Sequence, residues 1–173
     1  PLGQGLGNAV GFAVAEEFVA ARRGSHLCDH FTFVIAGDGC LMEGISQEVI
    51  SLAGRLKLKK LIVIWDDNGI TIDGPLDLSC NTDQISRFQS SGWSTFSCDA
   101  HNPIEIDQAI SNAKKDPRPS LIAAKSIIGY GSKGKQGTSG VHGAALGKSE
   151  VEQLRSNFDW SYNEFVIPSN IKR

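Results

Sequence analysis

Two short segments hold the residues best suited to chemistry. Gly37-Asp38-Gly39 closes one apolar run, Phe31 to Ala36. Asn68, thirty residues after Asp38, follows another, Leu61 to Trp65. An ionised Asp and the amide of an Asn both offer hard oxygen ligands, and a flanking glycine leaves room for a ligand to reach the backbone. The combination suits a divalent cation holding a diphosphate. A Gly-Asp-Gly alone is more often a simple turn; its pairing with Asn68 after the next apolar run gives it weight.

The intervening and flanking segments must position that pair. Glu43 to Leu56 carries Ile45, Val49, Leu52, Ala53 and Leu56 at spacings that share one helical face. Strand, helix and strand in this order predict a right-handed parallel crossover. Asp38 and Asn68 then emerge at the carboxyl ends of two parallel strands, where open α/β sheets bind ligands. Upstream, Pro1 leads into a helix expected to reach about Arg22, with Val10, Val14, Phe18 and Ala21 near one face. Gly3, Gly7 and Gly11 mark a bare stripe on it, open to close approach by another backbone. Downstream, Asp66 to Pro75 reads as a strand end, a turn and a short extended piece. A brief helix is expected over 82–89, a strand over 93–98 and a buried strand over 120–125. Asn102-Pro103-Ile104-Glu105 is a strong helix start, with Asn as N-cap, Pro at N1 and Glu at N3, running to about Lys115. Gly129 to Gly147 is a glycine-rich loop too long to be mere connection. Ser149 with Glu152 predicts a capping box opening a last helix.

The 173 residues suffice for one α/β domain with a real core. Forty per cent hydrophobic and 21% charged residues are ordinary globular values. A formal charge of −2 without a basic block argues against nucleic acid as the main partner. No apolar run approaches the length of a membrane span. Cysteines at 28, 40, 80 and 98 have no CxxC spacing, which argues against zinc and fits a reducing, cytoplasmic setting. The opening residues lack Met and a leader and lie directly before a helix, so the chain is expected to be part of a longer one.

Four stretches resemble transketolase: Pro1-Leu2-Gly3-Gln4-Gly5, Gly37-Asp38-Gly39-Cys40-Leu41-Met42-Glu43-Gly44-Ile45-Ser46, Asp66-Asp67-Asn68-Gly69-Ile70-Thr71-Ile72-Asp73-Gly74, and Val141-His142-Gly143-Ala144. The resemblance spans nearly the whole chain. The GDG…N pair marks thiamine diphosphate enzymes in general; the longer stretches narrow it to transketolase and near relatives. It implies an α/β fold in three layers, a mostly parallel sheet with helices on both faces, and that residues 1–173 are part of the diphosphate-binding domain. It also implies a thiamine diphosphate site with Mg2+ or Ca2+, a homodimer in the full-length protein, and transfer of a two-carbon ketol unit between sugar phosphates in the pentose phosphate pathway of carbohydrate metabolism. Dihydroxyacetone synthase, 1-deoxyxylulose-5-phosphate synthase and a non-catalytic partner subunit are the alternatives.

By the same resemblance, Asp38 and Asn68 bind the metal through side-chain oxygens and Ile70 through its backbone carbonyl. Gly39 offers a backbone N–H to phosphate, Pro1 and Leu2 line the cofactor, and Ile72 packs near the thiazolium. His142 touches both cofactor and sugar and is the catalytic candidate. The glutamate that activates the aminopyrimidine belongs to a later domain, so the chain alone is expected to be inactive. Ala145 stands where proline is frequent. Trp65 stands where a smaller aromatic is common and is expected to lie clear of the metal ligands. Glu43 and Glu48 read as ordinary helix residues, Glu43 alternatively as an acid coupling two active sites. His101 reads as structural, and Lys133 and Lys135 as solvated.

Overall fold

The computed structural model describes residues 1–172. Helix α1 (Gln4–Arg23) opens after Gly3, whose φ of +76° suits a glycine, so Pro1 and Leu2 precede the helix rather than form its first turn. Strand β1 (Thr32–Gly37) runs into a five-residue helix, α2 (Asp38–Met42). Helix α3 (Gly44–Leu56) then leads back to β2 (Leu61–Asp67). Two short strands, β3 (Ile70–Thr71) and β4 (Gly74–Pro75), form a small antiparallel pair. Helix α4 (Gln84–Ser90), capped by Asp83, precedes β5 (Ser94–Asp99). Helix α5 (Pro103–Ala113), β6 (Ser120–Lys125) and α6 (Lys148–Asn157) follow.

The four long strands are all parallel, in the order β1-β2-β6-β5. Alternation along β2 splits the core in two. Leu61, Val63 and Trp65 face a large cluster with α1, α2, α3 and α4, whereas Ile62 faces a smaller one with Ala109 and Ala113 of α5. Helices therefore cover both faces, and the three-layer expectation holds. Gly54 lets α3 meet the turn after α4: a Cβ there would stand 1.8 Å from the Ser91 carbonyl oxygen. Beside it the Trp93 indole N–H donates to the Ile50 carbonyl at 2.8 Å.

The buried helix faces differ from those expected. Helix α1 turns Leu6, Ala9, Val10, Ala13 and Glu16 inward and leaves Phe18 58% exposed. Helix α3 buries Ser46, Ile50, Ala53 and Gly54, leaving Ile45, Leu52 and Leu56 exposed. Both helices carry two apolar faces, and periodicity does not say which one meets the sheet. The glycine stripe is also uneven. A Cβ on Gly3 would crowd Glu43, Ile45 and Ser46 at 2.9 Å, but one on Gly11 would meet nothing within 4 Å.

At α5 the cap forms as expected: Asn102 Oδ1 accepts from the Ile104 N–H at 3.1 Å. Glu105 takes the Asp99 N–H at 2.9 Å and the Asn102 side-chain N–H at 2.8 Å, tying β5 to the helix. The capping box at α6 does not form. Gly147 precedes the helix without a side-chain cap, and Glu150 instead accepts from the Ser132 hydroxyl at 2.5 Å, clamping the long loop to α6.

Candidate functional site

The carboxyl ends of β1 and β2 open into one cavity of about 920 Å³. Parallel pairing of Gly37 with Asp66 sets the ends of the two strands side by side. Asp38 and Gly39 reach the cavity from the start of α2, and Asn68, Ile70 and Ile72 reach it from the segment after β2. Leu2 and His142 line it from the two distant ends of the chain. Seven of the eight expected site residues thus share one space; Pro1 is not among the lining residues.

Asp38 is 5% exposed. Its Oδ1 accepts the Trp65 indole N–H at 2.9 Å, while Oδ2 is buried with no partner among the described residues. Trp65 therefore touches Asp38 directly, against expectation: it lies on the sheet face that carries α2, and its long ring system reaches the carboxylate. Burial pushes the Asp38 carboxyl above the usual carboxylate range. The charges of Asp67 and Asp66 act in the same direction, against the Trp65 hydrogen bond and the nearby Gly69 backbone N–H. An acid so placed gains from a cation.

Asn68 is held by its own turn and by its neighbour. Its Oδ1 accepts the Ile70 N–H at 2.9 Å, and its side-chain N–H donates to Asp66 Oδ2 at 3.0 Å. Asp66 also accepts from the Ser126 hydroxyl, which links this turn to the end of β6. A Cβ on Gly37 would meet nothing within 4 Å, so the glycine leaves a cradle beside Asp38. Hard oxygens, a buried unpartnered carboxylate oxygen and this cradle fit a small divalent cation. Among the described residues no three His, Cys, Asp or Glu side chains gather as a metal centre. The expected ligand set is one carboxylate, one amide oxygen and one backbone carbonyl, and Glu43, Asp66 and Asp73 line the same cavity.

The loop carrying His142 is well braced. The Gly137 N–H donates to the Ile128 carbonyl at 2.8 Å, and Asn157 of α6 donates to the Gly131 carbonyl at 2.8 Å. Lys135, expected in solvent, donates to the Leu146 carbonyl at 2.9 Å and closes the loop on itself. Sequence reasoning missed the contributions of Asp66, Ser126 and Glu150, because each acts on a segment remote in sequence or through its neighbour's side chain. Glu43, Cys40, Met42 and Asp73 also line the cavity. Glu43 and Glu48 are exposed among the described residues.

A second crevice lies at the ends of β5 and β6, lined by Cys98, His101, Lys125 and Tyr130. Its polar groups serve the fold. His101 Nε2 accepts the Ile127 N–H at 3.0 Å and the ring stacks on Tyr130 at 3.9 Å, which bears out its structural reading. Lys125 pairs with Asp67 at 3.3 Å.

Fold and cavity together define an α/β domain with one ligand-sized cavity at the carboxyl ends of β1 and β2. Residues 1–173 match the family described as "Transketolase, thiamine diphosphate binding domain", and the chain belongs to that family. It is 54% identical over 171 residues to transketolase of Cereibacter sphaeroides and 49% identical over 175 residues to transketolase 2 of Aliivibrio fischeri. Each alignment covers 99% of this chain and 26% of the relative, so the chain spans about a quarter of the length of these relatives. The fold is similar to that of transketolase from Campylobacter jejuni, with a TM-score of 0.89 and 42% identity over 90% of this chain and 25% of that one. Transketolase from Pichia stipitis in complex with sedoheptulose 7-phosphate superposes with a TM-score of 0.89 at 44% identity, over 97% of this chain and 26% of that one.

Proposed function

We propose that these residues form part of the diphosphate-binding domain of a transketolase, which moves a two-carbon ketol unit reversibly from a ketose phosphate to an aldose phosphate. The buried, unpartnered Oδ2 of Asp38, a residue that lines one cavity with Asn68, Ile70 and His142, carries this reading. Asp38, Asn68 and the Ile70 carbonyl are assigned to Mg2+ or Ca2+, and the cation to the diphosphate. Gly39 is assigned to the phosphates through its N–H, Pro1 and Leu2 to the lining of the cofactor, and Ile72 to packing near the thiazolium. When bound, thiamine diphosphate supplies a carbanion that adds to the ketose carbonyl and an electron sink for the C–C bond that breaks.

The chain's own part is to bind, orient and shield. Asp38 and Asn68 fix the cation, Asp66 and the Ile70 N–H hold the Asn68 amide in place, and Leu2 and Ile72 exclude water with apolar surface. His142, held by the braced loop, is assigned to the substrate: an imidazole there donates to or accepts from the sugar hydroxyls and donates to the carbonyl oxygen as charge develops on it. We further propose that the longer protein is a homodimer in a cytosolic setting. Exposed Phe12, Phe18, Ile45 and Leu52 on α1 and α3 favour a covered face, and all four cysteines are free. No helix among the described residues is long and apolar enough to cross a membrane.

The test is ketol transfer by the complete protein, with xylulose 5-phosphate as donor and ribose 5-phosphate as acceptor, in the presence of thiamine diphosphate and Mg2+. Two-carbon transfer that vanishes without the cofactor is expected. Cofactor binding without transfer from any ketose phosphate would leave the non-catalytic partner-subunit reading in its place.

A further inference from the structure

The two oxygens of the Asp38 carboxylate have different surroundings. Oδ1 is engaged by the Trp65 indole N–H at 2.9 Å, and Oδ2 is buried without a partner among the described residues. Trp65 is well anchored for this task. It lies in β2 between Ala36 of β1 and Ala123 of β6, is 8% exposed, and packs in the larger core cluster. An indole has a single N–H and no acceptor, so the bond has one direction and cannot invert. The side chain is too rigid and too enclosed to follow a carboxylate that rotates.

We propose that Trp65 is a positioning residue that sets the cation preference of the site: by holding Oδ1 it presents Oδ2 alone and enforces one-oxygen coordination by Asp38. The proposal rests on the reading of Asp38 as a cation ligand. One-oxygen coordination favours Mg2+, which demands near-ideal octahedral geometry with short bonds. Ca2+ accepts one or both oxygens of a carboxylate in looser, larger shells. Without the N–H, Oδ1 is free to join Oδ2 on the same ion. That arrangement serves Ca2+ and distorts the Mg2+ octahedron. A tryptophan that merely filled space would, on removal, weaken both ions alike.

The experiment uses the complete protein with two replacements: Trp65→Phe, and β-(3-benzothienyl)alanine incorporated at position 65. The second keeps the shape of the indole and puts sulfur in place of the N–H, so it decides the matter if the phenylalanine variant fails to fold. The dissociation constants of Mg2+ and of Ca2+ are measured by calorimetry at saturating thiamine diphosphate. In the benzothienyl protein Mg2+ should weaken about tenfold, at the lower end for loss of a group that orients a metal ligand. Ca2+ should hold its affinity, so the ratio of the two constants shifts by the same factor. Unchanged constants, or equal weakening of both ions, would overturn the proposal while leaving the cofactor site intact. A wild-type protein that binds thiamine diphosphate with neither ion would overturn the site reading itself, and this proposal with it.

Discussion

A Cβ added to Gly3 would stand 2.9 Å from the Cβ of Glu43, at the point where the start of α1 meets the start of α3. Gly3 also has a φ of +76°, which disfavours any L side chain. Leu2 and Glu43 both line the cavity at the ends of β1 and β2, so this contact fixes one wall of it. Gly3→Ala should lower the melting temperature and weaken thiamine diphosphate binding together. Gly11→Ala has open space and should raise helix stability in the 173-residue chain by about 1 kcal/mol. Thermal melts of both variants check this; a Gly3→Ala protein as stable as the parent would refute the close packing.

Lys60 joins α1 to the segment leading into β1. It pairs with the fully buried side chain of Glu16 at 2.6 Å and with Asp29 at 2.7 Å. Hydrogen bonds to Asp29 and Glu16 raise the Lys60 ammonium above its usual range, and Lys60 holds the Asp29 carboxyl below its own. The lysine's contribution is therefore present below about pH 10.4 and fades only as pH rises through the raised folded value. The aspartate's contribution is present above about pH 3.9 and fades as pH falls through the lowered folded value. Lys60→Met leaves Glu16 buried without its counter-charge and should cost about 3 kcal/mol near neutral pH. Melting temperatures across a pH series should show the gap from the parent narrowing below about pH 4. A gap that stays constant there would refute the ion-pair assignment.

Asp38 and Asn68 were legible because their signals are local: each follows a short apolar run, and the crossover rule sets the two strand ends together. The Asn102 cap was legible for the same reason. The Trp65–Asp38 hydrogen bond was not, since it depends on the reach of one side chain across strand register. Nor was the Ser126–Asp66 contact, which spans distant segments. The inner face of α1 was misread because Phe18 and Val14 share a helical spacing as regular as that of Leu6, Val10 and Ala13. Ser149 and Glu152 match a capping box, but Glu150 holds Ser132 and the helix begins at Lys148.

His142→Ala should keep the cofactor and damage turnover. The residue lines the cavity from a loop braced independently by Lys135 and Glu150. Loss of a proton-transferring or hydrogen-bonding group at the substrate is expected to lower kcat/KM by roughly 100-fold. Steady-state kinetics with a ketose phosphate donor, beside a cofactor titration, separate the two effects. Parental kcat/KM would remove His142 from the chemistry.

Residues 1–173 expressed alone should show no ketol transfer and should self-associate. Ile35, 75% exposed on the edge strand β1, joins Phe12, Phe18 and Leu52 as apolar surface open to water. Sedimentation at several concentrations and a donor-cleavage assay check both statements. Measurable turnover from a monodisperse monomer would show that no further residues are needed.

Calorimetric titration of thiamine diphosphate with Mg2+ into the complete protein and its Asp38→Ala variant asks most directly whether Asp38 holds the cation that holds the diphosphate. Removing an anionic ligand should weaken binding by more than the roughly 100-fold that loss of an orienting neighbour can cost. Asn68→Ala, which removes a neutral oxygen, should weaken it less. Tight, Mg2+-dependent binding in the parent and its near-complete loss in Asp38→Ala is the expected result. Equal affinity in the two proteins would contradict the assignment of Asp38 as the cation ligand.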